Sequence, residues 1–383
     1  MYEFGAAEIE AAVRVLTSRQ LFRYLPDAHE ADRFEQALAQ TLGVGHALVT
    51  SSGTAAMISG LAALGVGPGD EVVIPAYGFV AGVLAPLAVG AVPVVCDIDE
   101  SLTMDPADLV AKLTPRTRAV LPVHMHGAAA DMDAVLAVAA AHGLVVLEDA
   151  CQALGATYRG KPLGTIGDVG AFSFNQHKII TAGEGGALVT NRTDLYERGF
   201  IAHDGSCSFS RHRFTEPVHG GLAFRMNEVS AAILNAQLGR LPDILASLRA
   251  TRDRVAAALA ETVPLRPIPQ HDAAGACGTH LGYTFADKET ADRFRAAVDG
   301  LEIDAFHGNE YGHSFGEWDL LHEGRGGHHP LRNPLANTAW RQPRDACVRS
   351  ADILRRSVLV RYGTRVSDSA LEKTRQRLTE HLG

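Results

Sequence analysis

Seven short runs of mostly apolar and β-branched residues recur between Gly45 and about Thr190, and they constrain the fold more than any other feature. The runs read ALVT, EVVIP, VPVVCD, AVLPVH, LVVLEDA, AFSFN and ALVTN, with helix-like pieces such as DMDAVLAVAAAHG between them. Because these runs are apolar throughout, they predict a mainly parallel sheet of the α/β class with helices on both faces. Ligands of such sheets bind at the carboxyl ends of the strands.

A smaller unit follows the sheet region, since 383 residues are too many for one compact core. After Arg225 the pattern becomes a long helix, and Pro242 predicts a kink or break in it. We therefore predict a large domain over 1–241, with a helical N-terminal segment, and a small α+β domain over 242–383. The small domain contains a strand near HLGYTFA, a helix at KETADRFRAAVDG and a strand near VLVRY.

A loop rich in Gly, His and Pro interrupts the small domain from about Phe306 to Asn337. Such a long loop is typical of a functional segment, and we expect it to select the substrate. A metal site is the alternative, because the loop contains His313, His322, His328 and His329. These histidines lack metal-ligand spacing, so we predict a solvated or substrate-facing loop and no metal.

One uncharged stretch, from Val72 to Cys96, is long enough to span a bilayer. Three prolines interrupt it, so we interpret it as a buried strand (EVVIP), a buried helix (FVAGVLAPLAV) and another buried strand (VPVVCDI). The N-terminus, MYEFGAAEIEAAVRV, lacks the basic and apolar regions of a signal peptide. We therefore expect a cytoplasmic protein without a membrane partner.

The charge balance excludes a broad cationic surface. With 35 Lys+Arg against 44 Asp+Glu the net charge is −9, so we expect no nucleic-acid partner, and any bound anion must be held locally. The five cysteines are widely spaced and form no C-x-x-C pair. That pattern is typical of free thiols in a reducing cytosol.

Two predicted strand ends favour binding of a phosphate and of a cationic ring. The cluster 50–54 (TSSGT) opens an Ala-rich helix, where amides and hydroxyls suit a phosphate, although an ordinary helix cap has the same residues. Glu148 and Asp149 close the run LVVLEDA. A carboxylate there needs a cationic partner such as a protonated ring nitrogen, or else it caps the next helix.

Two further strand ends supply an amine and an aromatic ring. Lys178 follows AFSFN beside His177, and a partly desolvated lysine can act as a nucleophile through a Schiff base, although most lysines lie on the surface. Tyr77 and Phe79 follow EVVIP, where an aromatic ring either covers a planar ligand or joins the core. The glycine-rich segment 183–186 permits close backbone approach.

An anion site, a carboxylate, a lysine and an aromatic ring together describe a pocket for pyridoxal 5′-phosphate (PLP). The segments SSGTAAM, GDEVVIPAYGFVA, PVHMHG, LEDACQALGATYRG, SFNQHKIITAGEGG and FRMNEVSAAI closely resemble the DegT/DnrJ/EryC1/StrS family. The resemblance runs from about Phe22 to Leu241 and continues more faintly to the C-terminus. It implies a fold-type I, PLP-dependent enzyme, in most members an aminotransferase that acts on keto sugars or keto-cyclitols.

The resemblance also assigns roles by position. Lys178 is similar to the lysine that forms the Schiff base with PLP, and Asp149 to the partner of the pyridine nitrogen. Gln152 is expected beside the ring hydroxyl, and Phe79 is expected to stack on the ring. The family's phosphate contacts correspond to Ser52, Gly53, Thr54 and Ser173.

The family dimer sends residues from the neighbouring subunit to the phosphate, near an N-x-R-M pattern. This chain has Ala223 where that pattern has asparagine. Arg225 and Asn227 are therefore the candidates for the contact between subunits. The resemblance thus implies a homodimer with its active sites at the interface.

The resemblance implies ping-pong transfer from glutamate or glutamine to the keto group of a sugar, nucleotide sugar or cyclitol, with the aminated cofactor (PMP) as intermediate. Two alternatives remain: a sugar dehydratase of the same family, in which histidine replaces the lysine, and a non-catalytic PLP-binding sensor. Lys178 at the aligned position favours transfer. The segments LFRYLPDAHEADRFEQAL, DIDESLTMDPADL and GEWDLL resemble the 8-amino-3,8-dideoxy-manno-octulosonate transaminase branch, which suggests a polyhydroxylated acceptor.

Overall fold

In the part of the large domain that the structure describes, the strands form one seven-stranded sheet and one small hairpin. The structure is a computed structural model that describes residues 4–207, 214–300, 302–336 and 342–382. The strands of this part are β1 (His46–Thr50), β2 (Glu71–Pro75), β3 (Val92–Cys96), β4 (Thr117–Val120), β5 (Val145–Asp149), β6 (Thr157–Tyr158), β7 (Lys161–Pro162), β8 (Val169–Ser173) and β9 (Gly186–Thr190). The sheet order is β1-β9-β8-β5-β4-β2-β3, and β6 pairs with β7.

The sheet is mainly parallel, as the unbroken apolar runs predict. Only β9 runs antiparallel to its two neighbours. The carboxyl ends of the other six strands therefore lie at one edge of the sheet, and β9 begins at that same edge, where Gly186 pairs with both Thr50 and Ser173. We call this edge the C-terminal edge, and it is where the candidate site lies.

Helices cover both faces of the sheet. They are α1 (Ala6–Ser18), α2 (Glu30–Leu42), α3 (Gly53–Ala63), α4 (Ala81–Ala88), α5 (Pro106–Lys112), α6 (Met132–His142), α7 (Thr193–His203) and α8 (Glu228–Ala260). Neighbouring residues of β1 belong to different cores: Leu48 packs with α3, α4 and α7, whereas Val49 packs with α2, α6 and α8. Burial on both faces explains why these strands have no polar alternation.

The uncharged stretch from Val72 to Cys96 forms β2, α4 and β3, as predicted. All five residues of β2 are buried, and α4 is only eight residues long. Within the described part of the chain, no helix is both long and apolar enough to cross a membrane.

The small domain is an α+β unit, as predicted. Its elements are β10 (Arg266–Pro267), β11 (His280–Thr284), α9 (Lys288–Val298), β12 (Ile303–His307), α10 (Asp319–His322), α11 (Val348–Arg355), β13 (Ser357–Tyr362) and α12 (Asp368–Leu382). The strands form an antiparallel sheet in the order β10-β11-β13-β12. Helices α9 and α12 pack with this sheet in a separate hydrophobic core.

Pro242 was predicted to kink or break the helix, and the break is wrong, because α8 continues through it from Glu228 to Ala260. Side chains on both sides of the proline, up to Leu248, are buried beneath the large sheet, and this packing outweighs the local cost of proline. From Val255 onward the same helix packs in the small-domain core. The boundary between 1–241 and 242–383 stays a prediction, placed within a helix that both domains share.

The first part of the loop 306–337 is held against the large domain. The backbone N–H of Gly78 donates to His313 O at 2.8 Å, and that of Phe315 donates to Ala76 O at 2.8 Å. The loop therefore reaches the C-terminal edge directly after β2, while its predicted end, Asn337, lies outside the described residues. Within the described residues, no group of three or more His, Cys, Asp or Glu side chains is arranged to hold a metal ion.

Candidate active site

The first turn of α3 is suited to an anion. Ser52 caps the helix, since its Oγ accepts a hydrogen bond from the Ala55 backbone N–H at 3.1 Å, and its hydroxyl hydrogen can still turn toward a ligand. No acidic side chain lies in this turn, so nothing there neutralises the positive end of the helix dipole. The helix cap and the phosphate site, which were alternatives in the sequence, are therefore compatible.

Two glycines allow α3, β8 and β9 to meet closely. A Cβ added at Gly53 would lie 2.7 Å from Cys151 Sγ and 2.8 Å from Ser173 Cβ. A Cβ added at Gly186 would lie 2.3 Å from the carbonyl carbon and oxygen of Ser52. These close approaches assemble what we call the phosphate cradle, namely Ser52, Gly53, Thr54 and Ser173.

Replacing Gly186 with alanine is expected to open the phosphate cradle. The new methyl group would collide with backbone atoms that cannot rotate away, so β9 and α3 must separate. We expect the dissociation constant of PLP, measured by fluorescence titration of the apoprotein, to rise about 10- to 100-fold, which is about 1.4 to 2.8 kcal/mol.

Gly239→Ala is the matched control for this prediction. Gly239 is exposed within α8, and a Cβ there meets no atom within 4 Å. That change should leave PLP affinity unaltered and raise stability by about 0.5–1 kcal/mol. Wild-type PLP affinity in Gly186→Ala would contradict the geometry assigned to the cradle.

Glu148 and Asp149 point to opposite faces of β5 and have different surroundings. The Glu148 carboxylate accepts hydrogen bonds from backbone N–H groups of the segment 164–167 at 2.6–2.9 Å, and its Oε2 lies 2.9 Å from His124 Nε2. Asp149 is only 4% exposed, and its Oδ1 accepts from the Cys151 N–H at 3.0 Å. Among the described residues, no Lys, Arg or His forms an ion pair with Asp149. Asp149 is thus the carboxylate that suits a cationic ligand.

Lys178 lies at the same edge, on the loop that joins β8 to β9. Its backbone N–H donates to Asn175 O at 2.9 Å, and the next two residues are buried, which holds the base of the loop. Its side chain is half-buried, and no acidic group within the described ranges pairs with it. Burial raises the pKa of the Cys151 thiol, with a further contribution from Asp149, and Lys178 opposes that shift. Lys178, Cys151 and Asp149 are therefore within electrostatic reach of one another.

Gln152 follows β5 and Phe79 follows β2, so both lie at the C-terminal edge. Gln152 Oε1 accepts the His126 backbone N–H at 3.0 Å, which leaves its amide nitrogen as the group that can donate to a ring hydroxyl. Phe79 is 48% exposed, and its ring centroid lies 5.8 Å from that of His313. Both surroundings are compatible with the predicted contacts to a planar ring.

The segment 223–227 also returns to the C-terminal edge, but its polar side chains have partners within the chain. One of its carbonyl groups accepts the Ser51 N–H at 2.6 Å. Arg225 pairs with the buried carboxylate of Asp204, and Asn227 caps α8 through a 2.9 Å hydrogen bond. The contact of Arg225 or Asn227 with a phosphate of the neighbouring subunit stays a prediction.

Residues that the sequence analysis did not single out complete the pocket. The ring of His126 lies 4.5 Å from that of His280 in β11 and 6.2 Å from Phe306 in β12, measured between centroids. Arg361 of β13 lies 5.9 Å from the Phe306 ring centroid. Burial lowers the pKa of His280 to about 3, with additional contributions from Arg361 and His313. The only local signal was the second histidine of PVHMHG, because nothing in the sequence indicates that the small-domain strands reach this edge.

These residues fit PLP. Among the described residues, the Asp149 carboxylate has no cationic partner, the half-buried Lys178 amine has no acidic partner, and the first turn of α3 has no acidic side chain and lies beside two serines. Each corresponds to one group of the cofactor: the ring nitrogen, the aldehyde and the phosphate. The fold and the site thus define a fold-type I, PLP-dependent protein.

The chain belongs to the DegT/DnrJ/EryC1/StrS aminotransferase family, which matches residues 3–305. It is 44% identical over 223 residues to the GDP-perosamine synthase of Caulobacter vibrioides, a match that covers 58% of each chain. It is 40% identical over 248 residues to the L-glutamine:2-deoxy-scyllo-inosose aminotransferase of Streptoalloteichus tenebrarius, covering 61% of this chain and 57% of the other. The matched parts thus span less than two thirds of these curated relatives.

The whole fold is similar to that of S. venezuelae DesV, solved in complex with a ketimine intermediate. The two share 29% identity and a TM-score of 0.80, over 98% of this chain and 94% of DesV. The predicted family, fold type and cofactor are therefore confirmed. The predicted role of each site residue is compatible with the geometry and remains a prediction.

Proposed function

We propose that this protein is an aminotransferase that moves an amino group from glutamate or glutamine to the keto group of a sugar, nucleotide sugar or cyclitol. The observation that carries the proposal is that Lys178 and Asp149 lie at the same edge of the sheet. Neither side chain forms an ion pair with a described residue. The S. tenebrarius relative is named for L-glutamine and 2-deoxy-scyllo-inosose, which supports glutamine as donor and a cyclic ketone as acceptor.

Each residue of the candidate site has a distinct task in this proposal. Bound PLP supplies an aldehyde that reacts with amines and a ring that accepts electrons. Lys178 would hold the cofactor through the aldehyde carbon, and its free amine would carry a proton between the donor carbon and the cofactor carbon. Asp149 holds a proton on the ring nitrogen. The phosphate cradle and Phe79 keep the ring in one orientation while the two substrates bind in turn.

Lys178 also favours transfer over the two alternatives. A dehydratase of this family has a histidine in place of the lysine, whereas here the histidine is the exposed neighbour, His177. A sensor that only binds the cofactor has no need of an amine that can leave the cofactor and return. The half-buried, unpaired Lys178 amine suits that movement, since no described carboxylate has to be released first.

The two half-reactions test the proposal. Glutamate or glutamine added without an acceptor should release about one equivalent of the keto acid per active site and abolish the visible absorbance of the PLP form, as expected for a ping-pong enzyme. A keto sugar or keto-cyclitol should then restore that absorbance. Deoxysugar formation without stoichiometric keto acid would instead show a dehydratase, and no response to any amine would show a sensor.

Two further predictions stay open. An apolar stripe on α1, formed by Ile9, Val13 and Leu16, is more than half exposed, which supports burial against a second copy in the predicted homodimer. The cytoplasmic location rests on the sequence pattern alone.

A further inference from the structure

The backbone of His126 has an uncommon conformation that both domains hold in place. Its φ of 56° and ψ of 23° lie in the left-handed region, which non-glycine residues seldom adopt outside functional sites. Its N–H donates to Gln152 Oε1 at 3.0 Å, and its carbonyl accepts from Thr279 Oγ1 at 2.7 Å. This conformation is thus maintained by Gln152, which is 26 residues away in sequence, and by Thr279, which is 153 residues away.

The ring of His126 is equally well defined. Its Nε2 lies 2.6 Å from the hydroxyl oxygen of Tyr77, a side chain that is 1% exposed. Burial raises the pKa of Tyr77, with a contribution from Glu317, so the phenol keeps its proton. The described partner of this hydroxyl is Nε2, which therefore accepts the phenol hydrogen. A neutral imidazole has one N–H, so Nδ1 is the protonated nitrogen.

That N–H has no partner among the described residues. Nδ1 of His126 is fully buried, and no hydrogen-bonding group of the described residues satisfies it. An unsatisfied buried donor is costly, and in a native site its partner is a group that the chain itself does not supply, such as a bound ligand, an ion or a water molecule. Burial lowers the pKa of His126, and the nearby His280, His313, Lys178 and Arg361 lower it further, so the ring remains a neutral donor.

We propose that His126 determines specificity in the acceptor half-reaction by donating its Nδ1–H to an oxygen of the keto substrate, and that Tyr77 positions it. The inference rests on the proposed function and names the acceptor chemistry, a ketone with a hydroxyl or ring oxygen near the reacting carbon. Gln152 already offers a donor to the ring hydroxyl of PLP. A carboxylate of glutamate that is removed from water needs a cationic partner, which a neutral N–H is not, whereas an uncharged oxygen of the acceptor needs only a hydrogen-bond donor.

The two half-reactions, measured separately in variants, test this inference. In His126→Phe, kcat/KM for the acceptor should fall about 10- to 100-fold, while the donor half-reaction stays within about threefold of wild type. The dissociation constant of the acceptor for the aminated enzyme, measured by calorimetry, should rise by a similar factor. His126→Asn should recover most of the loss, because asparagine tolerates the left-handed backbone and its amide can replace Nδ1–H.

Tyr77→Phe and His142→Phe complete the set. Tyr77→Phe removes the hydroxyl that fixes the proton of His126 on Nδ1, so it should lower acceptor kcat/KM by about three- to tenfold. This variant tests the same contact if His126→Phe does not fold. His142 is exposed at the end of α6, at the opposite edge of the sheet, so its variant should match wild type.

Two results would overturn the inference. Unchanged acceptor kinetics in both His126→Phe and Tyr77→Phe would show that Nδ1–H does not contact the acceptor. Equal loss in both half-reactions with a shifted PLP spectrum would show that His126 contacts the cofactor instead. Failure of the proposed function is distinguishable, because wild-type protein would then lack the donor half-reaction itself.

Discussion

Replacing Lys178 with alanine is expected to abolish covalent attachment of PLP and to lower transamination by at least about 10⁴-fold. The same amine attaches the cofactor and carries the proton, so its loss removes two functions at once. The chain has only four other lysines. Lys112 and Lys288 pair with acidic residues of their own helices, and Lys161 and Lys373 are exposed, so none of them replaces it.

Borohydride treatment followed by intact-protein mass measurement checks this expectation. Wild type should gain the mass of reduced PLP, and the digest should place it on Lys178. Lys161→Ala, on the exposed hairpin β6–β7, is the matched control and should keep both the adduct and full turnover. Normal transamination by Lys178→Ala would show that the assigned lysine is wrong.

Asp149→Asn should lower kcat for amine transfer by about 10²- to 10³-fold while PLP still attaches to Lys178. The amide has the shape of the carboxylate, so the Cys151 N–H keeps its partner, but it cannot stabilise a proton on the ring nitrogen. The ring then accepts electrons less well, and the rate of proton transfer falls. Single-turnover kinetics with glutamate measures the effect directly.

Asp168→Asn is the control for Asp149→Asn, because it removes a carboxylate charge at a position away from the candidate site. Asp168 precedes β8 at the opposite edge of the same sheet, and its Oδ2 accepts the Val146 N–H at 2.9 Å. Removing that charge should lower stability slightly and leave the rate of the glutamate half-reaction near wild type. A wild-type rate in Asp149→Asn would mean that another group protonates the ring.

The strand ends show how much of the candidate site could be predicted from the pattern of residues along the sequence. Apolar runs and their polar endings predicted β5 with Asp149, β8 with the lysine loop, and β1 with the first turn of α3. These elements form because burial and turn chemistry act over a few neighbouring residues. Pro242 shows the limit of that pattern, because local propensity predicted a kink or a break, and the packing of α8 prevents the break.

The sequence by itself determined the fold class, the family and which side chains end the strands, since these depend on local order along the chain. Only the tertiary structure separated Glu148, bonded to the segment 164–167, from Asp149, because the two faces of a strand meet different partners. Only the tertiary structure brought Thr279 and Tyr77 to His126, across 153 and 49 residues. Contacts at such separation depend on how two domains close over one sheet edge, and no local pattern encodes that geometry.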